Sequence, residues 1–442
     1  MHENTNIHPE REPRPLALMP FVVFVVFYVG LSIWANDFYK IPMPIAFLVA
    51  SAAGLLMDHR RPLMDKVEIY ARGMGETNIM IMCLIFILAG SFAAAAKSMG
   101  AVDSAVAIAR NLIPAPLLLT GIFLVSCFIS LAIGTSCGTI AALTPIAVGL
   151  VGTLKIDPAV MLGAVIGGAM FGDNMSMISD TTIAATRTQG VAMRDKFLMN
   201  LKMILPAAVI ALAYYLFSGR PGAAQQVPPV RWVDIVNVLP YVLILVCALC
   251  GMNVMALLFF GTVLAGVLGI VSGSFTFLAF LDTAGKGALG MSETLIVAIL
   301  AGGLLSIVRH NGGIGYLLKK IESRIAGPRG CEIGVFLLVS AVNLFTANNT
   351  VAIVIAGPIA KEFSRKFGCD PRRIASILDT ASCVVQGLIP YGAQILIALG
   401  VARAAGVEVS SFAVIGALYY PMLLLAALIC AILFRRTRKE PV

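Results

Sequence analysis

Three carboxylates stand inside apolar sequence in this chain. Asp173 and Asp180 lie in the run Gly172-Asp173-Asn174-Met175-Ser176-Met177-Ile178-Ser179-Asp180-Thr181-Thr182, and Asp379 lies far downstream. A charge held at the centre of a bilayer costs about 3 kcal/mol or more unless it is paired, solvated or neutralised. A proton neutralises a carboxylate, and so does a small metal cation. A group that takes either one can exchange one for the other. Asp173 and Asp180 are seven residues apart, which puts them on one face if the segment is helical throughout. Asn174, Ser176, Ser179 and Thr181 surround them in sequence, and the upstream cluster Gly134-Thr135-Ser136-Cys137-Gly138-Thr139 adds Thr135, Ser136 and Thr139. Hydroxyl, amide and carbonyl oxygens are hard ligands of low charge and suit a partly dehydrated Na+. A second group, Asn348, Asn349 and Thr350 with Asp379, Gln386, Tyr391 and Gln394, offers a counterpart cation site or contacts for an organic solute. The expected Na+ ligands are Thr135, Ser136, Asp173, Asn348 and Asn349. The plainer alternative makes the same Ser, Thr, Asn and Gly residues helix caps and packing groups.

The elements that must position these residues follow from composition. Of 442 residues, 59% are hydrophobic and only 12% charged, about half the charged share of a globular domain. That is the composition of a membrane-embedded helical bundle. A Walker Gly-Lys-Ser/Thr run is absent, as is His-x-x-x-His or any His and Cys cluster at metal-ligand spacing. ATP-driven transport and zinc chemistry are excluded on that ground, and an enzyme is not expected. No cofactor is expected beyond Na+ as the transported or coupling ion. Most of the nine cysteines sit in apolar stretches as small hydrophobes. The four histidines, His2, His8, His59 and His310, fall at termini and segment ends, away from any proton path.

Apolar stretches near spanning length occur at about 16–34, 41–57, 78–97, 197–217, 235–252, 254–272, 292–308 and 412–434. Two longer ones are interrupted: 158–186 around Gly172-Asp173-Asn174, and 373–404 around Gln386-Gly387 and Pro390. Two more, 117–153 and 331–362, are bisected by the polar clusters at 134–139 and 346–350, and read as re-entrant hairpins with short arms. Basic residues sort the segments by side. Clusters at Arg60–Arg72, Arg187–Lys202, Lys319–Arg329, Lys361–Arg373 and Arg435–Lys439 all become cytoplasmic under the positive-inside rule. The net charge of +9 therefore reads as membrane anchors, not as a nucleic-acid surface.

An internal repeat orders the rest. Pro145 and Pro358 are 358 − 145 = 213 apart, and so are Asp157-Pro158 and Asp370-Pro371. The same offset carries Thr135-Ser136 onto Asn348-Asn349 and Asp173 onto Gln386. Each half has five crossings, an odd number, so the second is expected upside down, the plan of a secondary transporter. The predicted fold class is an all-α polytopic membrane protein of two inverted-topology repeats. Each repeat has five crossings, one of them a discontinuous helix, plus a re-entrant hairpin. The predicted organisation is a cytoplasmic tail at 1–15, a first repeat at 16–217, an extracellular linker at 218–232, a second repeat at 233–434 and a cytoplasmic tail at 435–442. The protein is expected in the cytoplasmic membrane, with both termini on the cytoplasmic side.

Gly134 to Thr139 and the Asp173 to Thr182 run resemble the NhaC-type Na+/H+ antiporter family, and so do Asn348-Asn349-Thr350, Gly357-Pro358 and Gln386-Gly387-Leu388-Ile389-Pro390-Tyr391-Gly392. The resemblance covers most of the chain. It implies two opposed hairpins, two discontinuous helices and a scaffold that often forms a homodimer. It also implies Na+ and H+ as transported partners, and leaves open an amino acid or small carboxylate as solute. Two functions follow as expectations. The first is Na+/H+ antiport by alternating access, with Asp173 and Asp180 alternating between Na+ and H+. The alternative is a Na+-coupled transporter of an amino acid or organic acid, with Asn348, Asn349, Gln386, Tyr391 and Gln394 on the solute.

Overall fold

The structure, a computed structural model, describes residues 12–34, 41–57, 61–177, 179–218, 229–250 and 252–434. The C-terminal tail 435–442, most of the expected N-terminal tail and linker, and His2, His8, His59, Arg60 and Ile178 lie outside the described residues. Every regular element among the described residues is a helix. Six segments are long and apolar enough to cross a bilayer: Ile79–Ser98, Pro158–Gln189, Met193–Ser218, Val254–Val271, Phe277–His310 and Pro371–Ala404. A seventh is reached if Ala101–Leu112 and Pro116–Leu131, bent by 114°, count as one.

Two compact units divide the chain, Met1–Met82 with Leu295–Ile325, and Cys83–Thr294 with Ala326–Val442. Each draws on both halves of the sequence. In the first unit, Phe24 packs on Phe47 with ring centroids 4.3 Å apart, and the Ser51 and Tyr70 hydroxyls share a 2.9 Å hydrogen bond. The second unit holds every candidate site residue.

In that second unit the chain makes a helical hairpin (Ala115–Ile133 and Ser136–Leu154), a broken helix (Pro158–Met175 and Asp180–Gln189) and the long helix Met193–Ser218. Later it makes a second hairpin (Gly327–Thr346 and Asn349–Phe367), a second broken helix (Pro371–Leu388 and Ala393–Ala404) and the closing helix Tyr419–Leu433. Boundaries match between the two series. Ser136 and Asn349, Pro158 and Pro371, and Asp180 and Ala393 each start helices, and each pair is 213 apart (349 − 136, 371 − 158, 393 − 180). The hairpin tips match too. Gly134 (φ 75°) and Ala347 (φ 47°) end the first arms in the left-handed region. Asp157 and Asp370 cap the broken helices through side-chain bonds from Ala159 N and Arg372 N.

Two expectations about elements need correction. The hairpin arms run to 19 or 20 residues, longer than the short arms read from sequence. Charged residues at their ends, such as Glu332, Lys361 and Lys366, are good helix formers and extend the helices instead of ending them. The first break also falls later than expected. The helix continues through Gly172, Asp173 and Asn174 to Met175, and the chain leaves it at Ser176.

Candidate functional site

Asp173 is placed by backbone contact. Pro158–Met175 crosses Ala115–Ile133 with glycines at the contact. A Cβ on Gly168 would strike the Phe123 carbonyl, and one on Gly172 would strike main-chain atoms of Cys127 and Leu131. With no side chain between the helices, the Ser130 hydroxyl donates to the Ala169 carbonyl at 2.5 Å and Ser176 donates to the Leu131 carbonyl at 2.9 Å. The glycines of this helix do not share one face. Gly163 and Gly167 instead meet Ala417 and Tyr420, on the other side of the helix.

The Asp173 side chain is 5% exposed. Its Oδ2 accepts from Ser136 Oγ at 2.8 Å and its Oδ1 from Ser179 Oγ at 2.6 Å. Ser136 belongs to the first turn after the hairpin tip, and Ser179 is the extended residue just before the helix that begins at Asp180. The Thr181 hydroxyl lies 2.8 Å from Ser179 Oγ. From the second half, Gln394 Nε2 donates to Ser136 Oγ at 3.1 Å, and Gln386 Nε2 donates to Gln394 Oε1 at 3.0 Å and to the Ala347 carbonyl at 2.7 Å. A buried chain of amides and hydroxyls thus runs from one hairpin tip to the carboxylate beside the other. None of the ion pairs among the described residues involves Asp173.

Asp379 has a different environment. It is fully buried and forms an ion pair with Lys196 Nζ, itself 1% exposed. Lys196 also donates to the Asn174 carbonyl and to Thr182 Oγ1, both at 2.7 Å. Asn200 donates to Asn174 Oδ1 at 2.8 Å and to Asp379 Oδ2 at 3.3 Å, and accepts from the Ser376 hydroxyl. Lys196 is therefore not a surface anchor, as its place in the basic cluster suggested. Neither Lys196 nor Asn200 was singled out in the sequence. The signal was present in the spacing: Lys196, Asn200, Ile204, Ala208, Ala211 and Tyr215 recur every three or four residues on the buried face of Met193–Ser218.

Other candidate residues sort as follows. Asp180 is exposed at the start of its helix. The face it was to share with Asp173 is lost, because the helix is interrupted between them. Asn174 belongs to the Lys196 network. Thr135 is the extended N-cap residue whose carbonyl accepts from Thr139 Oγ1 at 3.0 Å. Asn348 Oδ1 accepts from Val351 N at 3.0 Å as a helix cap, and Asn349 Oδ1 accepts from Thr350 N at 3.0 Å. The Tyr391 hydroxyl donates to the Leu344 carbonyl at 2.6 Å and ties the second break to its hairpin. The second half thus reaches Ser136 through Gln386 and Gln394, with the Asn348 and Asn349 oxygens occupied locally.

One carboxylate among hydroxyl and amide groups suits a hard monovalent cation. No group of three or more His, Cys, Asp and Glu that would hold a multivalent metal occurs among the described residues. A family profile described as the Na+/H+ antiporter family matches residues 17–220 and 231–437. The chain belongs to the Na+/H+ antiporter family. It is 24% identical to the Na+/H+ antiporter NhaC of Bacillus subtilis strain 168 over 414 residues, covering 86% of this chain and 89% of that protein. It is also 24% identical to NhaC of Alkalihalophilus pseudofirmus over 383 residues, 80% and 82% of the two chains. A malate-2H+/Na+-lactate antiporter of Bacillus subtilis is 22% identical over 413 residues, 86% of this chain and 88% of the other. Family membership and the apolar helices make this a multi-pass membrane transporter of the antiporter type, with Na+ as the family's ion.

Proposed function

We propose that this chain exchanges Na+ for H+ across the cytoplasmic membrane, with Asp173 as the group that holds each in turn. The observation that carries the reading is the setting of Asp173: buried, without a cationic partner among the described residues, and bonded to two hydroxyls. Hydroxyls serve both states. They donate to a bare carboxylate, and on rotating they turn lone pairs toward a bound Na+. A protonated Asp173 is neutral and a Na+-bound one is neutral, so either form crosses the apolar interior at low cost while the bare anion does not. Exchange then requires no further coupling device.

Alternating access is supplied, in this reading, by two inverted repeats that rock against each other around the fixed site. The matched helix starts, the two left-handed hairpin tips and the pairing of Asp173 with Gln386 at the 213 offset support it. Both termini then face the cytoplasm, with 117–153 entering from outside and 331–362 from inside. The test is purified protein in liposomes carrying a pH-sensitive dye. Na+ added outside drives protons out of wild-type vesicles, and Asp173→Asn abolishes that signal. Equal dye responses in wild type and Asp173→Asn would rule out the assignment.

A second reading is Na+-coupled transport of a small carboxylate or amino acid. The amide chain Gln386–Gln394–Ser136 offers donors that an ion exchanger has little use for, and one relative is named for malate and lactate. Uptake of labelled carboxylates or amino acids driven by Na+, with no proton movement in the dye assay, would favour it over exchange.

A further inference from the structure

Three helices of the second unit leave a cleft between them that the Asp173 site does not use. Met193–Ser218, Pro371–Leu388 and Tyr419–Leu433 border about 200 Å³. The walls are mainly apolar: Met199 and Met203 from the first helix, Ile377 from the second, and Leu428, Ala431 and Ile432 from the third. That is more room than the roughly 150 Å³ that takes a benzene ring. It suits a stretch of acyl chain and is too small for a whole lipid.

Two cations, Lys202 and Arg373, line the same cleft, and no acidic side chain among the described residues does. Arg373 uses Nε and Nη2 on the Glu332 carboxylate and the Ala431 carbonyl. A guanidinium has five N–H donors, so the two on Nη1 are left without a partner among the described residues. Lys202 is exposed and makes no hydrogen bond or ion pair among the described residues. Leu198 and Leu205, one turn to either side of it, are each 47% exposed. The ammonium therefore stands in an apolar stripe that faces lipid, where a lysine stem lies along the helix and its charge reaches for the headgroup level. The cleft also lies at helix ends. Arg373 is in the first turn of Pro371–Leu388, and Ala431 and Ile432 are in the last turn of Tyr419–Leu433. The sequence then runs on into Arg435, Arg436, Arg438 and Lys439. Basic pockets between helices at the cytoplasmic face take anionic lipid headgroups.

We propose that this cleft is a binding site for an anionic phospholipid. The lipid phosphate lies against Lys202 and the Arg373 guanidinium, and part of one acyl chain enters between the apolar walls. A free phosphate has no chain for those walls, and a zwitterionic headgroup brings a cation for which the cleft has no carboxylate. Ser376 lines the cleft as well, and its hydroxyl donates to Asn200, whose amide reaches Asn174 beside Asp173. The bound lipid thus borders the network that ends next to Asp173. The site is independent of which cargo the protein exchanges for Na+.

The test reads binding. Phosphatidylglycerol, phosphatidylcholine with the same acyl chains, and inorganic phosphate are each added to the purified full chain in a neutral detergent. Native mass spectrometry reads what is retained, and the melting temperature reads the stabilisation that binding brings. Phosphatidylglycerol is expected to be retained and to raise the melting temperature, and the other two to do neither. Arg373 is left in place, because it pairs with the fully buried Glu332. Lys202→Gln, at an exposed position, is expected to weaken retention about fivefold. Ala431→Phe fills the cleft, leaves both cations in place and is expected to abolish retention. Lys320→Gln, at an exposed position of Gly313–Glu322, is expected to change nothing. Equal retention of phosphatidylcholine, equal stabilisation by inorganic phosphate alone, or undiminished retention in either cleft variant overturns the inference. So does a loss in Lys320→Gln as large as that in Lys202→Gln.

Discussion

Two buried aspartates with partners of different kind set the chemistry at the scale of single residues. Asp379 faces an ammonium, and Asp173 faces hydroxyls. In the proposed cycle Ser136 and Ser179 each turn a lone pair toward the bound Na+, so Ser136→Ala and Ser179→Ala should each weaken Na+ binding roughly tenfold, about 1.4 kcal/mol. Titration of Na+-dependent transport at fixed pH measures this as a raised half-saturation concentration, with Thr181→Ala the milder variant because it acts through Ser179. Lys196→Ala breaks a buried pair and should destabilise the protein by about 3–5 kcal/mol, read as a lowered melting temperature in detergent. Asp173, Ser136 and Ser179 were legible in the sequence, because polar residues inside apolar runs need a reason. Lys196 was hidden by its neighbours. Arg187, Arg194 and Lys202 are the cations expected at a cytoplasmic helix end, and local composition does not tell which of four points inward. Asp180 failed for the opposite reason. A seven-residue spacing implies a shared face only along an unbroken helix, and the break at 176–179 lies between the two aspartates.

Helix ends carry the argument at the scale of elements. Both hairpins turn through a left-handed residue, Gly134 in the first and Ala347 in the second. A left-handed conformation costs an L-residue about 1–2 kcal/mol relative to glycine, so Ala347→Gly should raise the melting temperature and Gly134→Ala should lower it. The helix crossing behind Asp173 makes a sharper demand. Gly172→Ala places a methyl against the backbone of Ala115–Ile133, and overpacking of this kind costs about 1–3 kcal/mol. Because the strained residue adjoins Asp173, transport should fall even at temperatures where the variant remains folded, a split that circular dichroism and vesicle assays together resolve. The spans near 78–97, 197–217, 254–272 and 292–308, the two broken helices and the paired hairpin arms were readable from hydropathy and proline spacing, whereas the stretches at 16–34, 41–57, 235–252 and 412–434 form shorter apolar helices. The ends of the arms were not: Lys361 belongs to a basic cluster that reads as a loop, yet Asn349–Phe367 runs past it, and Gly327–Thr346 starts before the expected 331.

The whole molecule, in the proposed reading, is a doubled framework around one exchanging carboxylate. The 213 offset was visible in the sequence from a few prolines and aspartates, and the helix starts at 136 and 349, 158 and 371, and 180 and 393 follow it. Inversion of the second half has a direct check. In a cysteine-free background, single cysteines at the exposed positions Asp103 and Lys366 should label from outside and inside respectively, and labelling of Lys366→Cys from outside would remove the inverted plan. In the proposed exchange Asp173 holds either Na+ or a proton and never both. Calorimetry of Na+ binding to the purified protein, repeated in buffers of different ionisation enthalpy, counts the protons released per ion bound. Release of one proton per Na+ in wild type and none in Asp173→Asn is the predicted result, and Na+ binding without proton release, or undiminished release from Asp173→Asn, would contradict it.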